Sequence, residues 1–124
     1  MQNGSNSAQD VRNWQRCNMR NPPSWGPEVQ HAYSFRHWLL DLMAWSVFTD
    51  IQEARKGPAV ELVLSGTARD LIREIPIDVK TIGRVFDFGD GVGAIHRPGL
   101  DYIIYVLTLH FAHLDEEETP RQLM

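Results

Sequence analysis

Five histidines are the first candidates for chemistry in this chain. His110 and His113 stand three residues apart, and Asp41 follows His37 by four, spacings that share one face of a helix. A catalytic zinc ion needs three protein ligands converging beside an open position. No HExxH pattern supplies them. The single cysteine, Cys17, excludes an internal disulfide and a multi-cysteine zinc site. His110 and His113 therefore read as surface residues in the last turn of a helix, where positive charge suits the dipole. Gly89-Asp90-Gly91-Val92-Gly93 has the glycines of a phosphate loop, but not its Lys-Ser/Thr or its strand-to-helix setting. Asp87 and Asp90 are spaced like part of a calcium loop, yet no bidentate Glu follows at the required offset, and a tight turn accounts for them. Cys17 has Arg16 beside it and Arg20 nearby, which favours the thiolate, but a nucleophilic cysteine needs a rigid partner histidine. Ser65-Gly66 belongs to no Gly-x-Ser-x-Gly elbow. No set of residues converges as an active site does. The expectation is a protein that is not an enzyme and takes no metal, cofactor or small-molecule substrate.

The tryptophans point elsewhere. Trp38 and Trp45 are seven apart on one helix face and read as core. Trp14 and Trp25 lie in a polar, Pro-containing stretch. Tryptophan there serves either the domain's own core or an interface, so both are candidate interface residues. Residues 33–50 carry the strongest pattern. Phe35, Trp38, Leu39, Leu42 and Trp45 recur at helical spacing, with Ser34 as N-cap. Met43, Val47 and Phe48 widen the stripe beyond half the circumference, so this helix should meet partners on two sides. Met43 and Phe48 complete the set of candidate interface residues.

The remaining elements follow by the same reading. A helix capped at Thr49 or Asp50 should run to about 64, kinked at Gly57-Pro58 or starting near Lys56. Ala68, Leu71, Ile72 and Ile75 mark a third helix that Pro76 ends. Residues 82–96 read as a short hairpin or loop around Asp90-Gly91. Leu100, Ile103, Ile104, Leu107, Phe111 and Leu114 mark a last helix. The expected fold is all-α, a bundle of about four helices. Residues 1–31 form a flexible arm, 32–114 the helical domain and 115–124 an acidic tail, broken off where another helix would begin. The expected core is Phe35, Trp38, Leu39, Leu42, Trp45, Val60, Val63, Leu64, Leu71, Ile104, Leu107 and Phe111.

The 124 residues suffice for one domain, and 43% apolar composition for one modest core. No apolar run approaches the roughly 18–20 residues that span a bilayer. The start, MQNGSNSAQD, lacks the basic and apolar regions of a secretory signal, so the expectation is cytoplasmic without membrane association. Net charge is −4, concentrated in residues 100–124, where Arg121 faces Asp101, Asp115, Glu116, Glu117 and Glu118. The near-neutral body offers no electrostatic footprint for nucleic acid, so any such binding should be weak.

Tyr33-Ser34-Phe35-Arg36-His37-Trp38-Leu39-Leu40-Asp41-Leu42-Met43-Ala44-Trp45, preceded by Pro22-Pro23-Ser24-Trp25, resembles the opening of the Gag-like, capsid-type region of copia-type retrotransposon polyproteins. So do Leu64-Ser65-Gly66-Thr67-Ala68, leading into residues 69–76, and the run from Leu107 to Glu117. The similarity covers about residues 22–118 and rests on apolar spacing. It implies an all-helical, self-associating structural domain, here its N-terminal part, in a fragment or degenerate copy. The zinc knuckle and the enzymes of such polyproteins do not fit in this length, so neither RNA packaging nor catalysis carries over. The alternative is a small monomeric helical module that binds a peptide or a partner helix.

Overall fold

The computed structural model describes the backbone over residues 20–123 and side chains over 20–116. Five α-helices account for most of it: α1 (Phe35–Phe48), α2 (Glu53–Val63), α3 (Gly66–Arg73), α4 (Ile77–Ile82) and α5 (Gly99–Leu123). A 3-10 turn (Pro27–Val29) precedes them. Strands β1 (Arg84–Asp87) and β2 (Ala94–Arg97) form a two-stranded antiparallel sheet between α4 and α5. The fold is thus mostly helical but not purely all-α. α5 is the central element, and α1, α2, α3 and α4 all pack on it.

α1 forms where the sequence indicates. Ser34 takes the extended N-cap conformation, and its hydroxyl accepts from the His37 backbone N–H. Phe35, Trp38, Leu42 and Trp45 form its buried face. The core continues through Val60, Leu64, Ala68, Ile72, Leu100, Ile103, Ile104 and Leu107. Leu39, Leu71 and Phe111 are half-buried against it.

Trp25 belongs to this core and is only 2% exposed. Its backbone forms a parallel bridge to Leu64: its N–H donates to the Val63 carbonyl (3.1 Å), and its carbonyl accepts from Ser65 N–H (3.0 Å). Its indole lies 5.2 Å from the Phe35 ring, 5.8 Å from Trp38 and 5.5 Å from Phe111. The indole N–H donates to the Tyr33 carbonyl (2.8 Å), and that of Trp38 to the Pro23 carbonyl (2.8 Å). Each large ring is buried without orphaning its donor. Gln30 adds a clamp: its side chain accepts from Phe35 N–H (2.9 Å) and donates to Asp115 (2.8 Å). The flexible arm expected over 1–31 is therefore corrected for residues 22–30, which dock on the helices. The three prolines there block a helix, and that leaves extended backbone free to pair with Leu64.

Three further expectations are corrected. α2 starts at Glu53 with Gln52 as N-cap, not at Asp50, and contains Pro58. The Thr49 hydroxyl instead accepts from Ile51 N–H in the preceding turn (3.2 Å). α4 was not anticipated; Pro76 ends one helix and stands as N-cap of the next. α5 does not stop at Leu114 but runs to Leu123, so 115–123 is helical rather than a detached tail. Glu is a good helix former, and nothing between Leu114 and Glu118 interrupts the turn.

α2, α4 and α5 meet at one backbone atom. A Cβ on Gly57 would sit 2.2 Å from the Lys80 carbonyl oxygen, and one on Gly99 would sit 1.8 Å from it. Only hydrogen side chains let the three segments approach this closely. The buried Lys80 ammonium pairs with Glu61 on α2.

Candidate functional site

α1 presents a second apolar surface. At 100° per residue, Leu40, Met43, Ala44 and Val47 fall opposite the buried face of Phe35, Trp38, Leu42 and Trp45. Val47 is 89% exposed, Leu40 55% and Met43 48%; Phe48 on the flank is 63% exposed. Arg36 continues the stripe toward the N-terminus. Asp41 lies beside it and accepts from the Tyr33 hydroxyl, not from His37. Isolated exposed apolar residues are ordinary, but a contiguous stripe on one helix is a candidate contact surface. Of the sequence-derived interface residues, Met43 and Phe48 lie on or beside this stripe. Trp25 is removed from the set by its burial in the core. Trp14 and Cys17 lie outside the described residues.

The hairpin makes a second surface. Arg84 pairs with Arg97 and Phe86 with Ile95, placing these four on one face. That face rests on α5, with Phe86 5.1 Å from Tyr102 and 5.3 Å from Tyr105, ring to ring. The Arg97 guanidinium lies over Phe88 (5.4 Å) and Phe86 (5.9 Å), and Arg84 over Tyr102 (5.3 Å). Arg97 also grips Asp90 with two nitrogens, each 3.0 Å from a carboxylate oxygen. These bonds, aided by Val92 N–H, hold the Asp90 carboxyl below the usual carboxylate range. Asp87 accepts from Gly89 N–H (2.8 Å). Both aspartates are thus occupied as turn-forming acceptors.

Between α3 and α5 lies an open groove of about 460 Å³ lined by Thr67, Asp70, Leu71, Glu74, His110 and Phe111. Leu71 and Phe111 are its half-buried apolar residues. Asp70 on α3 and Glu74 at its C-cap, four residues apart, are exposed and acidic. Asp70 also pairs with Arg73 at 3.4 Å. His110 turns its Nδ1 toward the Val106 carbonyl (3.0 Å). With α5 extended, His110 and His113 are exposed mid-helix residues rather than the last turn. The groove was not anticipated, although Thr67, Asp70, Leu71 and Glu74 stand at i, i+3, i+4 and i+7.

Among the described residues, no group of three or more His, Cys, Asp or Glu is arranged to hold a metal ion. Among them, too, no helix is long and apolar enough to cross a membrane. Compared with known proteins, the chain matches no family model, no curated protein and no solved structure.

Proposed function

We propose that this protein is a structural, self-associating helical domain of the Gag-like, capsid type, and that α1 supplies a self-association face. The observation that carries the reading is the outward stripe Leu40, Met43, Ala44 and Val47, backed by an inward face that already fills the core. Two copies of α1 packed antiparallel about a twofold axis set each Leu40 against Met43 of the other copy. The same register lays each Val47 along the aliphatic stem of the opposing Arg36. The stripe itself carries no acidic side chain and no lysine, so this pairing desolvates no carboxylate. Fully burying one such side chain contributes about 1.5–3 kcal/mol, and a symmetric contact counts each residue twice. The resemblance of residues 22–118 to Gag-like regions adds support through the aromatic first helix and the capsid-type role of helix faces in association.

Sedimentation equilibrium over increasing concentration tests this. The wild-type chain should form dimers or larger species. Met43→Glu and Val47→Lys, both at exposed positions, should weaken association at least about tenfold without lowering thermal stability. A well-folded chain that stays monomeric at high concentration would reject the reading in favour of a monomeric peptide-binding module.

A further inference from the structure

The groove between α3 and α5 has a complement in the chain's own sequence. Residues 11–19, Val-Arg-Asn-Trp-Gln-Arg-Cys-Asn-Met, hold Arg12 and Arg16 four apart with Trp14 midway. The groove holds Asp70 on α3 and Glu74 at its C-cap, four residues apart, with Leu71 between them in sequence and Phe111 opposite. One side offers two cations around a large ring, and the other offers two carboxylates around an apolar floor with room for an indole. We propose that this groove receives residues 11–19 of a second copy of the chain, Trp14 on Leu71 and Phe111, Arg12 and Arg16 against Asp70 and Glu74.

Geometry favours a second copy over the same one. Arg20 stands 3.8 Å from Asp50, just beyond the C-terminal end of α1. Phe111 lies at the opposite end of that helix, 6.3 Å from Phe35 ring to ring. The 14 residues of α1 separate those ends, a distance of about 20 Å at 1.5 Å per residue. The six residues from Arg20 back to Trp14 reach about 20 Å only when fully extended. Docking in its own groove would therefore draw the segment taut, with no slack to lay both arginines along α3. A neighbouring copy faces no such limit. The contact is heterologous, since groove and segment are different surfaces. Added to a twofold contact through α1, it propagates assembly beyond a dimer. In that respect the inference rests on the self-association reading.

The test uses a dye-labelled peptide of residues 11–19, carrying Cys17→Ser, titrated with the full chain and followed by anisotropy. Binding should saturate. It should weaken about tenfold against an Asp70→Asn/Glu74→Gln chain, weaken further with salt, and vanish for a Trp14→Ala peptide. Both acidic positions are exposed, so an unchanged melting temperature confirms that the double variant is folded. In sedimentation, that double variant of the full chain should stop at dimers where the wild type continues to larger species. Absence of saturable binding, or equal binding to the double variant, overturns the proposal while leaving the α1 reading intact. So does loss of association in Met43→Glu alone with assembly size unchanged in Asp70→Asn/Glu74→Gln. Peptide binding by a wild-type chain that never exceeds a monomer overturns the second-copy assignment, and the self-association reading falls with it.

Discussion

Asp90 and Arg97 show how a short exposed hairpin is kept in one register. Arg97 closes the loop by gripping Asp90 from the base of β2 and simultaneously covers the Phe86 and Phe88 rings. Its two hydrogen bonds are the main cause of the lowered Asp90 pKa, with Val92 N–H second. Folded Asp90 binds a proton less readily than the same side chain in an unfolded chain. The contribution of the pair is therefore complete above about pH 4 and is lost as the pH falls through the lowered folded value. Asp101 works in the opposite sense: burial first and Glu53 second hold its carboxyl above the usual range, which favours the folded state on acidification. Global stability mixes the two, so the measurement must resolve residues. Relative to the intrinsic exchange rate at each pH, the amide protection of Val92 and Ile95 should fall on acidification in the wild type. In Asp90→Asn that protection should be lower at neutral pH and nearly flat across the same range.

Among the elements, the junction of α2, α4 and α5 over the Lys80 carbonyl has the least tolerance. Gly99→Ala places a methyl group where a backbone oxygen already stands, 1.8 Å away. The neighbour is main chain and cannot rotate aside. Overpacking of this kind costs about 1–3 kcal/mol or more, and chemical denaturation should show it as a lowered midpoint with an unchanged slope. Nothing local in the sequence shows that Gly99 must be glycine, because the atom that demands it lies on another element. The same division runs through the fold. α1, the hairpin and the first half of α5 could be read directly, since apolar period and turn residues are local signals. Buried Trp38, Leu42, Trp45 and Leu107 follow from them. α4 is not legible in the sequence, because six residues hold too little periodicity to register. The sequence leaves the burial of Trp25 open, because its partners Phe35 and Phe111 come from other segments. Of the candidate surface, Met43 and Phe48 were legible as excess apolar width on one helix. The groove was not, since it exists only once α3 lies beside α5.

For the molecule as a whole, charge distribution sets what it can hold. Residues 100–124 are net −4, and the segment most suited to phosphate is the short stretch carrying Arg12, Arg16 and Arg20. Three neutralised phosphates would give a logarithmic salt slope of about −2 on single strands. Filter binding of single-stranded RNA should therefore be weak and should disappear at moderate salt. Tight, salt-resistant RNA binding would move the function from assembly to nucleic-acid recognition.

The seat of Trp25 also fixes a schedule for synthesis. Its indole is sandwiched among rings from α1 and from Phe111 near the middle of α5. A growing chain exposes Trp25 early, yet the last wall of its pocket is translated several seconds later at about 5–20 residues per second. Until then Trp38, Phe35 and Trp25 form an open aromatic surface on the nascent chain. A ribosome paused between the hairpin and α5 would thus hold the most aggregation-prone form of this protein, and a chaperone that recognises exposed aromatics would find its binding site there.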